Sequence, residues 1–185
     1  MSTPVRYIFL LLLGTALLIS CGERAGIRKQ LTEFRQTLIV IPDDMEVCND
    51  GTVGMADMSG LSPMKMIVYY DSTECSACRI VHLPDLEPLY DMAREDGRFD
   101  VLTVFSPKQE ELEEVRVQLM VQDVPFPVYV DTFGSFARQN GTIPKATLFH
   151  NFMIDGEGRP VFVGNPANSE KVRDILLKVL DDNGH

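Results

Sequence analysis

Residues 64 to 82 constrain this chain more than any other stretch. Met64-Lys-Met-Ile-Val-Tyr-Tyr70 is a nearly continuous apolar run, rich in β-formers, that reads as a buried strand. Asp71-Ser-Thr-Glu74 is a short polar turn, and Cys75-Ser-Ala-Cys78 opens a segment of helical character. A cysteine at a helix start is chemically prepared, because unpaired N–H groups and the helix dipole favour the thiolate. The i to i+3 spacing lets the two sulfurs close a small ring. Cys75 is then expected to attack a substrate disulfide, and Cys78, one turn inside and buried, to resolve the product.

The rest of the chain alternates strand and helix. Ile27, Leu31, Phe34 and Leu38 recur at helical spacing, which predicts a short amphipathic helix over 23–37. Leu38 to Ile41 reads as a brief strand. Residues 42–63 hold many turn-formers and are expected to be irregular, with at most a small hairpin. After the dithiol, residues 76–97 predict a helix broken by Pro84 and Pro88. Strands follow at 99–105 and 126–130, with a helix over 108–122 between them and a short helix over 133–139 after them. Residues 146–154 and 160–163 predict two strands around the Asp155-Gly-Glu-Gly158 turn, and 168–180 a closing helix capped by Asn168 or Ser169. This pattern predicts an α/β domain with a mixed sheet and helices on its faces.

Strand, C-x-x-C at a helix start, proline-broken helix, βα unit, Gly141-Thr-Ile-Pro144, Phe152-Met-Ile-Asp-Gly-Glu-Gly158 and a last helix together resemble the thioredoxin fold, over about residues 64 to 181. Within it the chain resembles the exported TlpA-type thiol-disulfide oxidoreductases. The resemblance implies a three-layer α/β/α sandwich over 64–181, Cys75 and Cys78 as catalytic residues, and no cofactor. It also implies that Pro144 is cis beside the dithiol, with the Ile143 backbone pairing with a substrate strand. The chain departs from the family at Glu74, where an aromatic residue is usual, and at Tyr69, where thioredoxins carry an acid. A carboxylate at Glu74 is expected to work against a Cys75 thiolate. Asp71 is near enough to substitute for the missing acid, or is a turn residue.

Two other readings of the pair stand beside exchange chemistry. One is a non-catalytic binding module whose Cys75–Cys78 disulfide is structural. The other is metal delivery: His82 follows Cys78 by four residues, so Cys75, Cys78 and His82 form a possible ligand set for copper or zinc. His150, Tyr69 and Tyr70 read as strand residues rather than catalysts.

The N-terminus bears on location. Arg6, an apolar run from Ile8 to Ile19 and Leu18-Ile-Ser-Cys21 resemble a bacterial lipoprotein signal, and the run is shorter than the roughly 20 residues a spanning helix needs. Residues 1–20 are therefore expected to be removed and Cys21 acylated, leaving a lipid anchor and an extension over 21–63 ahead of the domain. The expected location is the bacterial cell envelope, facing the periplasm, with the lipid membrane, exported proteins bearing thiols or disulfides, and an unidentified redox partner as its associates. Disulfides persist in such a compartment. Cys48 is then left over as an inert buried thiol, a mixed-disulfide partner or a resolving thiol. A net charge of −10 argues against nucleic acid, which requires a basic surface.

Overall fold

The computed structural model of the chain describes residues 25–122 and 124–183. The expected signal segment and Cys21 lie outside the described residues. The chain divides into a unit ending at Gln36 and a compact unit, Thr37–His185. The first contains a helix, α1, over 25–34.

The compact unit is organised on a sheet of seven strands among the described residues: β1 (Glu46–Asn49), β2 (Thr52–Met55), β3 (Met64–Tyr70), β4 (Phe99–Phe105), β5 (Val128–Val130), β6 (Asn151–Ile154) and β7 (Pro160–Val163). Their order is β2-β1-β5-β4-β3-β6-β7. β3, β4 and β5 run parallel, and the flanking strands join antiparallel. Parallel neighbours need crossovers. Helices α2 (Ser76–Val81) and α3 (Glu87–Asp96) connect β3 to β4, and α4 (Leu112–Val121) connects β4 to β5. A short α5 (Ser135–Gln139) follows β5, and α6 (Glu170–Asn183) closes the chain. The arrangement is thioredoxin-like, with β3 inside the sheet between β4 and β6 and the dithiol in the turn and helix that follow it.

Strand alternation assigns the two faces. Met64, Met66 and Val68 of β3 share one core with Leu89, Tyr90 and Ala93 of α3, Leu112, Val115 and Leu119 of α4, and Leu176 and Leu180 of α6. On the other face the Tyr69 ring lies 5.1 Å from that of Phe136 in α5. Both faces of β3 are thus covered, which is why its sequence is almost continuously apolar.

Two expectations about elements are corrected, at 38–41 and 147–149, and one is extended. Residues 38–41 are not a strand: the Val40 backbone donates to Asn140 Oδ1 at 2.8 Å and accepts from Asn140 Nδ2 at 2.7 Å, so a buried side chain takes the place of a partner strand. The segment 42–63 carries its small hairpin, β1–β2, into the sheet, where β1 pairs with β5. Arg116 of α4 fastens it further through a two-pronged ion pair with Glu46, at 2.7 and 2.6 Å. Residues 147–149 form a 3₁₀ turn rather than the start of a strand. The helix expected over 76–97 breaks as its prolines require, into α2, a 3₁₀ turn over Leu83–Leu86 and α3.

Ile39 explains a glycine. Its N–H donates to the Gly158 carbonyl at 2.8 Å, and Gly158 has φ +86°. A Cβ built there would meet the Ile39 carbonyl oxygen at 2.6 Å. Gly158→Ala is therefore expected to cost about 1–3 kcal/mol or more, since the left-handed backbone and the contact with another backbone segment both oppose it. Urea unfolding measures this directly, and an unchanged midpoint would contradict it.

Candidate redox site

At the C-terminal end of β3, Asp71 shapes the turn into the dithiol. Its carboxylate accepts from the Thr73 N–H at 2.8 Å and the Thr73 hydroxyl at 2.5 Å, and its carbonyl accepts from the Glu74 N–H at 3.1 Å. Asp71 is thus a turn residue here. Cys75 caps α2, its sulfur accepting from the Cys78 N–H at 3.3 Å. Cys75 and Cys78 are joined as a disulfide, with their Cα atoms 5.3 Å apart. Both residues are exposed, which corrects the expectation of a buried Cys78. The inward face of α2 is carried by Ser76 and Ile80, one turn apart, and Cys78 lies on the opposite side.

A groove of about 380 Å³ opens beside the pair. One wall is the segment from Ser72 to Ala77, including Cys75. The other comes from α4 and the turn before it, with Lys108, Glu111, Glu114 and Gln118. Cys75 lines this groove and Cys78 does not.

Glu74 is the main departure from the family pattern, and the structure changes its meaning. Its side chain is only 8% exposed and is held from two sides: by Arg79 Nη2 at 2.7 Å, and by His150 Nδ1 at 3.0 Å. The Arg79 guanidinium also lies over the Tyr70 ring, 5.6 Å from its centre. A lone carboxylate next to Cys75 would oppose a thiolate. One compensated by a cation does so far less.

His150 has a fixed place. It is 3% exposed and directly precedes β6, its carbonyl accepting from the Tyr69 N–H at 2.8 Å. Its second ring nitrogen, Nε2, lies 3.2 Å from the Pro144 carbonyl oxygen. The imidazole therefore links the 140–149 loop to the turn before Cys75, and the 3₁₀ turn Thr147–Phe149 places it there. This residue, read as an ordinary strand residue, and Arg79 are what sequence reasoning missed. The available signal was a single titratable side chain, His150, inside the apolar run Leu148 to Ile154.

Beyond the C-terminal end of β4, the Ser106 hydroxyl donates to Asp131 Oδ2 at 2.9 Å. Asp131 in turn accepts from the Phe136 and Ala137 N–H groups. Burial pushes the Tyr69 hydroxyl above its ordinary pKa, so it stays neutral at the position where thioredoxins carry an acid.

Pro144 is trans, since the described residues contain no cis peptide bond. It follows a turn in which the Ile143 N–H donates to the Asn140 carbonyl at 3.0 Å. That donor is therefore engaged within the chain. Phe149 and His150, not Ile143 and Pro144, directly precede β6, and the trans form is the ordinary state of an X-Pro bond in a turn.

The disulfide occupies Cys75 and Cys78, and exposed His82 pairs through Nδ1 with Asp85 at 3.1 Å. Among the described residues no group of three or more His, Cys, Asp or Glu side chains is placed to hold a metal ion. Cys48 is buried on β1 and aligned through Val128 and Thr103 with Val68 of β3. Three strand spacings, about 14 Å, separate it from the strand that leads to the dithiol, which excludes a resolving role in this fold.

No family model matches the chain, and no curated protein matches it. Among solved structures, a Chlorobium tepidum protein assigned as the thiol:disulfide interchange protein DsbE aligns with 18% identity over 78% of this chain and 98% of its own, with a TM-score of 0.48. A Sinorhizobium meliloti hypothetical protein, SMc02350, aligns with 20% identity over 80% and 86%, at 0.46. The reduced 2-Cys peroxiredoxin of Plasmodium vivax aligns with 13% identity over 80% and 98%, also at 0.46. Likenesses of this size carry no argument about chemistry, which rests on the strand order and the site geometry above.

Proposed function

We propose that this chain is a thiol-disulfide oxidoreductase that exchanges disulfides with exported proteins while held at the bacterial envelope by an acylated Cys21. The observation that carries the exchange chemistry is the exposed Cys75–Cys78 disulfide, with Cys75 alone of the pair lining the adjacent groove. A partner thiolate attacks the Cys75 sulfur, and the Cys75–Cys78 bond breaks to release Cys78, which takes up a proton. The partner's second thiol, after losing its proton, attacks its own sulfur in the mixed disulfide and releases Cys75 as a thiolate. Two electrons pass from the partner to the pair, and the partner leaves as a disulfide. Reading the same steps backwards reduces a partner disulfide. Ile143 and Pro144 remain on the substrate side of this proposal, although the Ile143 N–H is already engaged by the Asn140 carbonyl and the Pro144 carbonyl faces His150 Nε2.

The test is alkylation and mass spectrometry of the whole protein across a series of glutathione ratios. A reversible two-electron transition assigned to Cys75 and Cys78 is expected, and a pair that stays oxidised at every ratio would overturn the reading. The anchor rests on the Leu18 to Cys21 pattern. Cys21→Ser is expected to move the protein out of the membrane fraction, and unchanged fractionation would remove the anchor from the proposal.

A further inference from the structure

A charged network that the exchange steps do not use touches the turn carrying Cys75. Glu74, the residue before the reactive cysteine, is closed in by Arg79 at 2.7 Å and by His150 at 3.0 Å. The Glu74 and His150 side chains are 8% and 4% exposed, so neither charge is dissipated in solvent as a surface pair would be. His150 faces two oxygens that can only accept, the Glu74 carboxylate and the Pro144 carbonyl at 3.2 Å. A neutral imidazole has one N–H and can make only one of these bonds as a donor. The doubly protonated ring makes both.

The groups facing His150 come from three elements. They are Glu74 in the turn before α2, with Arg79 of α2 behind it, the Pro144 carbonyl in the following loop, and the Tyr69 ring of β3, 5.3 Å away. With His150 protonated, two cations meet one carboxylate beside Cys75, and the surplus positive charge favours a thiolate there. With His150 neutral the surplus is gone. We propose that His150 is a positioning residue for the dithiol, acting through Glu74, whose protonation holds the Cys75 turn in place and favours the reduced form of the pair. This deepens the exchange reading of the site and rests on it.

The experiment compares the full chain with His150→Gln, which keeps a hydrogen-bonding side chain but removes the charge, and with Glu74→Gln. Reduction of Cys75–Cys78 is followed against glutathione at about pH 5 and about pH 8. Proteins are compared at the same pH, so that effects common to both cancel. At the lower pH His150→Gln is expected to shift the equilibrium about tenfold toward the disulfide, equivalent to about 30 mV for a two-electron couple, and the gap is expected to close at the higher pH. Glu74→Gln is expected to shift it the opposite way, toward the dithiol. Opposite signs separate an electrostatic role from loss of structure, which would move both variants together. Far-UV circular dichroism checks the fold. If His150→Gln does not fold, Glu74→Gln and the ultraviolet thiolate absorbance of reduced protein decide the matter, and an unshifted Glu74→Gln overturns the proposal. A His150→Gln protein that tracks the unaltered chain at both pH values overturns it too, leaving the exchange reading intact. A chain whose pair shows no reversible transition defeats the exchange reading, and this proposal with it.

Discussion

Cys78→Ser is expected to accumulate partner proteins as mixed disulfides through Cys75, whereas Cys75→Ser is expected to capture none. The asymmetry follows from the groove, to which Cys75 contributes and Cys78 does not. In Cys78→Ser the Cys75 thiolate attacks a partner disulfide, the partner's other sulfur leaves as a thiolate, and without Cys78 there is no neighbouring thiol to resolve the mixed disulfide. Each substitution removes an atom that forms or breaks a bond, so exchange measured with a dithiol substrate is expected to fall by roughly a thousandfold or more in either variant. Non-reducing electrophoresis of membranes, followed by mass spectrometry of the shifted bands, reads the outcome and names the partners. Capture by Cys75→Ser but not Cys78→Ser would reverse the roles assigned to the two sulfurs.

The second large effect is one of stability and lies behind the site. Phe136 of α5 is fully buried, and its ring packs 5.1 Å from that of Tyr69. Phe136→Ala removes most of a large apolar side chain from a region closed by the sheet, so the cavity collapses only in part. The expected cost is about 3–5 kcal/mol, which for a domain of this size lowers the Tm by roughly 10 °C. Because α5 also supplies the N–H groups that Asp131 accepts from, the loss is expected to loosen the Ser106–Asp131 hydrogen bond as well. Thermal unfolding of the oxidised protein measures it, and a Tm within 2–3 °C or so of the unaltered chain would contradict the packing described.

Much of this arrangement was legible in the chain. The apolar run of β3 declares a strand covered on both faces, and the prolines at 84 and 88 declare the break after α2. The β1–β2 hairpin was visible as turn-formers, but its pairing with β5 joins residues about 80 positions apart, which no local pattern records. The exposure of Cys78 depends on the rotation of α2, fixed by Ser76 and Ile80. A six-residue helix is too short for periodicity to reveal that rotation. The Glu74–His150 pair spans 76 positions. Glu74 therefore looked like an uncompensated charge until the fold brought its partner to it.

Cys48 has a practical consequence. It is a free thiol, 5% exposed, and burial pushes its pKa up. Neither access nor ionisation favours its reaction while β1 stays in the sheet. In oxidised protein with Cys21 acylated or replaced, it is the remaining thiol in the chain, so the rate at which it takes up an alkylating label is a clock for the opening of that sheet edge. Mutating nothing further, the same label then times how firmly the scaffold holds while the pair stays oxidised.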